Sequence, residues 1–129
     1  IGSSPTRTIA GLKSFNDKVI LIAGGYDKHL DYTELGEYII KKVKYLILLG
    51  QTSLKIKEAT QNAIKLYNAN DVPIYEVKSL EEAVNKAYEI TKIDKEIKNV
   101  FFSPASASFD MFKNFEERGN IFKELVNKL

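Results

Sequence analysis

Two short stretches hold the residue types from which a ligand site could be built. In the first, Ser103-Pro104-Ala105-Ser106-Ala107-Ser108, proline stops the apolar run Asn99-Val100-Phe101-Phe102, because it cannot continue a sheet ladder. The small residues after it let the backbone approach a ligand closely, and their hydroxyls and amides suit an anion. The second stretch, Gly24-Gly25-Tyr26-Asp27-Lys28-His29, sets a lysine just beyond the apolar run Val19 to Ala23. A strand, then a small-residue turn, then a helix start is how open α/β sheets collect ligand contacts at their strands' carboxyl ends. Each stretch has a plainer reading. The first could be an ordinary connector, with Phe109, Phe112 and Phe115 forming the core face of a last helix, and Lys28 could be a solvated surface lysine.

The elements that would position these stretches alternate along the chain. Pro5 suits the first position of a helix running to about Phe15, with Ser4 as its cap and Ile9, Leu12 and Phe15 inward. Val19 to Ala23 is a continuous apolar run of the kind buried on both faces in a parallel sheet. Asp31 with Glu34 predicts a capping box for a helix ending near Lys42, and Tyr45 to Leu49 predicts the next strand. A long helix over Ser53 to Asn68 follows, with Ile56, Ala59, Ala63, Ile64 and Tyr67 at helical spacing. Pro73 to Val77 reads as a short strand, and Ser79 with Glu82 caps a helix whose buried face is Leu80, Ala83, Val84, Ala87 and Ile90. Lys92 to Lys98 reads as a solvated charged connector. The strand at Val100 and a final amphipathic helix, with Phe115, Ile121, Phe122, Leu125 and Val126 inward, complete the chain. Such alternation predicts a Rossmann-like three-layer α/β domain with a mostly parallel sheet. Strand order is not legible in this pattern.

Composition narrows the function classes. With 129 residues the chain is one domain, large enough to bury a real core, and it is expected to be one piece of a longer protein. Its 44% hydrophobic and 28% charged residues are ordinary for a globular domain. No run approaches the length of a membrane helix and no signal peptide is evident, so no membrane partner is expected. Zero cysteines and a single histidine exclude disulfides, thiolate metal sites and a multi-histidine metal site within the chain. A reducing cytoplasm is compatible with this. A net charge of +2, with the lysines dispersed, gives no reason to expect nucleic acid. The phosphate-binding pattern G-x-x-x-x-G-K-[ST], the dinucleotide pattern G-x-G-x-x-G and the hydrolase pattern G-x-S-x-G are all absent.

The stretch SPASASFDMFKNFEERGNIF resembles, without a gap, the C-terminal signature of the Mur ligases that add D-glutamate to a peptidoglycan precursor. Ile22-Ala23-Gly24-Gly25-Tyr26-Asp27-Lys28 is similar to that family's strand and Gly-Gly-x-x-Lys loop. Ser3-Ser4-Pro5-Thr6-Arg7-Thr8-Ile9-Ala10 is similar to the start of its C-terminal domain. The Asp-Asn-Pro-Arg motif of the diaminopimelate-adding relatives is missing, which favours the D-glutamate enzymes.

The resemblance implies that residues 1–129 are the amino-acid-binding C-terminal domain, with the UDP-binding and central ATPase domains absent from this chain. In the family, ATP phosphorylates the carboxylate of UDP-N-acetylmuramoyl-L-alanine, and the amine of D-glutamate attacks the acyl phosphate to form an amide. ATP and Mg would be bound mainly by the central domain, and the fragment alone is expected to be an inactive, cytoplasmic monomer. Carried over by position, Lys28 would pair with a D-glutamate carboxylate, and Ser108 would donate its hydroxyl to a carboxylate with Phe109 beside it. Phe115 would contribute mainly through its backbone. Ser3 stands where many members have threonine and keeps the hydroxyl. Ile1 stands where many have a lysine near the nucleotide, so the resemblance carries no ATP contact to that position. The other class considered is a stand-alone, non-enzymatic α/β ligand-binding or interaction module.

Overall fold

A computed structural model of the chain describes residues 5–25 and 29–103. In order these form α1 (Pro5–Lys13), β1 (Val19–Gly25), α2 (Thr33–Lys42), β2 (Val43–Gly50), α3 (Ser53–Tyr67), β3 (Ile74–Val77), α4 (Leu80–Ile93) and β4 (Val100–Phe102). The expected cap at Ser4, the turn after Ser103 and the final helix lie outside the described residues.

All strand pairs are parallel, and the sheet order is β3-β2-β1-β4. The chain winds from β1 through β2 to β3 in one direction, then crosses back to place β4 on the other side of β1. Parallel crossovers are right-handed, so reversing the winding moves the connecting helix to the opposite face. The packing obeys this rule. Leu21 and Ala23 of β1 and Leu46 and Leu48 of β2 form one core with Ile9 and Leu12 of α1, Leu35 and Ile39 of α2 and Ile56 of α3. Ile20 and Ile22 of β1 and Ile47 and Leu49 of β2 form the other, with Leu80, Ala83, Val84, Ala87 and Ile90 of α4. The expected three-layer α/β domain is therefore present, with both faces of the sheet covered.

Boundaries agree with the sequence pattern except where packing overrides it. Strand β2 begins at Val43 rather than Tyr45, because Val43 is fully buried and pairs with Val19 directly after α2 ends. The Asp31–Glu34 capping box does not form. Asp31 instead accepts the Thr33 amide at 2.9 Å, and the residue at the cap itself is Tyr32. The Ser79 cap is present, with the Glu82 amide donating to Ser79 Oγ at 3.1 Å while the Glu82 carboxylate accepts the Lys78 amide at 2.7 Å. Helix α3 ends at Tyr67, and Asn68 caps it with a left-handed φ of 52° that closes the last turn. Tyr67 does not join the core. It is 54% exposed and its hydroxyl donates to Glu37, while Thr60 is buried instead, donating to the Ile56 carbonyl at 2.8 Å.

The connector 92–98 is more than a solvated face. Asp94 receives Lys44 Nζ at 2.6 Å and the Tyr45 hydroxyl at 3.0 Å, and Lys98 reaches Asp17 at 3.5 Å. These contacts tie the amino ends of the strands together. A cleft of about 450 Å³ at this edge is lined by Asp17, Lys18, Lys44, Glu96, Ile97 and Lys98.

Candidate functional site

Reversal of the winding between β1 and β4 creates a topological switch point, the place where an open α/β sheet leaves a crevice at the carboxyl ends of its strands. The two stretches singled out in the sequence leave from these two strands. Residues 20–22 of β1 pair with residues 100–102 of β4, and the Ser103 amide donates to the Ile22 carbonyl at 2.8 Å, extending the ladder one step. Adjacent strands lie about 4.8 Å apart. The chain thus enters the segment containing Lys28 at Gly25 and the segment containing Ser108 at Ser103, one strand spacing apart across the sheet and about two residues apart along it. Lys28, Ser108, Phe109, Phe115 and Ser3 themselves lie outside the described residues, so what the structure supplies is the frame from which they depart.

That frame is built of small residues. Gly24 has φ +147°, a conformation that side chains with a Cβ rarely adopt, and a Cβ there would overlap the carbonyl oxygen of Leu49 on β2. Gly25 faces Gly50 in the β1–β2 register, and Gly50 has φ 89°. The turn after β2 is held by Ser53 Oγ donating to the Gly50 carbonyl at 2.9 Å and leads into α3. His29, with φ 58°, marks the return from the Lys28 segment toward α2.

Helix α1 reaches the same edge. Thr8 Oγ1 and Ser103 Oγ are 3.0 Å apart and buried, and Gly11 lies against the ring of Phe101. Helix numbering rises as strand numbering falls, so α1 runs antiparallel to β4 and its amino end lies at the carboxyl edge. Ser3 stands two residues before that helix. The described residues that flank three of the expected site segments therefore lie at one edge of the sheet. Sequence reasoning missed Thr8, because a threonine three residues inside a helix carries no signal of a partner 95 residues away.

Charge is organised at the opposite edge. Hydrogen bonding from Lys44, together with that from Tyr45, holds the Asp94 carboxyl below its usual range, and the Asp94 carboxylate raises the Lys44 ammonium in turn. Among the described residues no group of three carboxylate, imidazole or thiolate side chains converges to hold a metal ion. Neither the sequence patterns nor the described side chains offer a nucleotide–magnesium donor set, so no step of ATP chemistry is assigned to this part of the chain. No helix among the described residues is long and apolar enough to cross a membrane.

No protein-family model matches the chain. Curated relatives match it throughout. The UDP-N-acetylmuramoylalanine–D-glutamate ligase of Acetivibrio thermocellus is 57% identical over 130 residues, covering 100% of this chain and 27% of the relative. Ligases of the same name from Ruminiclostridium cellulolyticum and Clostridium kluyveri are each 53% identical, again over 100% of this chain and 27% of their own length. The chain spans about a quarter of the length of these relatives and corresponds to their C-terminal part. Identity of this degree along the whole chain leaves one conclusion: the chain is homologous, from end to end, to the C-terminal part of the UDP-N-acetylmuramoylalanine–D-glutamate ligases.

Proposed function

We propose that this chain is the D-glutamate-binding C-terminal domain of an ATP-dependent ligase that joins D-glutamate to UDP-N-acetylmuramoyl-L-alanine in peptidoglycan synthesis. The observation that carries the reading is the 57% identity over the whole chain to a ligase of that name. It favours the ligase over a stand-alone module. The switch point between β1 and β4 supports the same reading, since the segments of Lys28 and Ser108 depart from its two sides.

The task of this domain is positioning. A doubly anionic amino acid must be held so that its amine faces the activated carboxyl carbon, and holding two reactants in place supplies a large part of such a barrier reduction. Lys28 provides charge toward one carboxylate, and Ser108 a directional hydroxyl toward a carboxylate. Phe109, Phe115 and Ser3 complete the contacts. ATP with Mg and the UDP-linked substrate belong to the rest of the protein, so the 129-residue chain alone is inactive and binds free D-glutamate weakly. A cytoplasmic, monomeric ligase goes with this reading.

Steady-state kinetics of the full-length parent ligase test it. Lys28→Ala removes a charge-assisted contact worth about 1.5–3 kcal/mol, and Ser108→Ala a contact at the lower part of that range. The KM for D-glutamate rises in both while those for ATP and the UDP-substrate stay nearly unchanged. A Lys28→Ala enzyme with the wild-type KM for D-glutamate would remove the assignment.

A further inference from the structure

We propose that Thr8 is a positioning residue for the amino-acid site, acting through Ser103 to fix the point just beyond β4 from which the chain continues in sequence toward Ser108. This rests on the reading that Ser108 and Ser3 contact the amino acid. Ser103 is 1% exposed and held from two directions, its amide by the Ile22 carbonyl of β1 at 2.8 Å and its hydroxyl by Thr8 of α1 at 3.0 Å. Thr8 is itself fully buried. One turn along, Gly11 abuts Phe101, where a Cβ would overlap the ring's Cζ and lie 2.6 Å from Cε2. Helix and strand are therefore in contact at two successive levels, the lower set by ring packing and the upper by a hydrogen bond.

A hydroxyl pair is an unexpected choice at the upper level. The neighbouring contacts of α1 are apolar, made by Ile9 and Leu12, and replacing both partners of a buried hydrogen bond by apolar groups of similar shape is often nearly neutral for stability. What the pair adds is direction. An apolar contact tolerates sliding, whereas a hydrogen bond fixes both distance and angle. Ser103 is the last described residue before Pro104, and Ser108 follows five residues on, while Ser3 stands five residues before Thr8. The bond joins the roots of both serine-bearing segments. Functional groups lose effectiveness when the residues supporting them are loose by about 1 Å.

The test is Thr8→Val in the full-length parent ligase, a near-isosteric change that removes only the hydroxyl. The KM for D-glutamate is expected to rise about 10-fold with the KM values for ATP and the UDP-substrate within about twofold of wild type, and Thr8→Ser to restore it. Ser103→Ala, which keeps the helix intact, is expected to reproduce the shift. Lys28→Ala in the same assay separates the two layers of the reading. If Lys28→Ala raises the D-glutamate KM and Thr8→Val and Ser103→Ala do not, the positioning role is wrong and the site stands. If none of the three raises it, both fall. A Thr8→Val enzyme whose three KM values rise together would reduce the pair to general structural support and overturn the proposal.

Discussion

Replacing Gly24 by alanine tests whether the end of β1 is built as described. Two costs arise from separate causes. At φ +147° a residue with a Cβ sits in a sparsely populated region, which costs about 1–3 kcal/mol when the surroundings hold it there. The new Cβ would also overlap the Leu49 carbonyl oxygen and lie 2.7 Å from that residue's carbonyl carbon and 3.0 Å from its nitrogen. These are backbone atoms within the β1–β2 ladder, so no rotamer change relieves the overlap, and forced overpacking adds about 1–3 kcal/mol. Together the loss is about 2–6 kcal/mol, a large share of the roughly 5–15 kcal/mol that keeps a domain folded.

For a chain of 129 residues, an unfolding entropy of about 2.1 cal/mol/K per residue converts each kcal/mol into a Tm shift of nearly 4 °C. Gly24→Ala should therefore melt about 7–22 °C below the wild-type chain in a thermal scan followed by circular dichroism. Urea titration gives an independent measure of the same loss. A variant within about 0.5 kcal/mol of wild type by both methods would refute the reasoning, because either cost alone exceeds that.

Ser79→Ala removes the hydroxyl that accepts the Glu82 amide and should destabilise the chain by about 1 kcal/mol, with Ser79→Asp retaining most of the stability, as read by urea denaturation. Asp94→Asn tests the clamp at the amino edge through its pH dependence. Asp94 is held below the usual 3.8, chiefly by the hydrogen bond from Lys44, so its contribution is present above that value and lost as pH falls through its lowered folded pKa. Lys44 is raised above 10.5, so its contribution is present below 10.5 and lost only as pH rises through its raised value. Wild type and Asp94→Asn should therefore differ in stability at neutral pH and converge in acid, and a difference that persists undiminished as the pH is lowered until the wild-type chain unfolds would contradict the pairing.

Much of the fold was legible because its two kinds of apolar pattern are distinct. Val19 to Ala23 admits no amphipathic helix, and Leu80, Ala83, Val84, Ala87 and Ile90 admit no strand. What the pattern hid were buried hydroxyls. Thr8, Thr52, Thr60 and Ser103 are all buried, yet a polar letter reads as surface. Thr60 occupies a core position because its hydroxyl is satisfied by its own helix, a local solution invisible to hydrophobic spacing. Tyr67 failed in the opposite sense. Its spacing fits the α3 stripe, but it stands on the helix's last turn beside Leu66, itself 74% exposed, where the helix has run past the core. Asp94 was read as solvated because its partners, Lys44 and Tyr45, start a strand whose neighbours are unknown until the sheet is assembled.

Strand order was the decisive unknown for the candidate site. Lys28 and Ser108 follow strands separated by two intervening strands in sequence, and any order placing β1 and β4 apart would have dispersed them. The observed order makes those strands neighbours at the switch point. A division of labour between the sheet's two edges follows. Lys44, Asp94, Glu96, Lys98 and Asp17 pair at the amino edge, remote from the crevice, whereas at the carboxyl edge β1 and β2 end in Gly24, Gly25 and Gly50 and β4 leads into Ser103, the Lys57–Glu76 pair standing away from the switch point on the outer strand β3. Stability and ligand affinity should then separate under mutation. Asp94→Asn should change the acid stability of the chain and leave the D-glutamate KM of the full-length ligase unchanged, whereas Thr8→Val should move that KM selectively. Kinetics and pH-dependent unfolding measured on both variants decide the matter, and an Asp94→Asn enzyme with a raised D-glutamate KM would show that the two edges are coupled through the sheet.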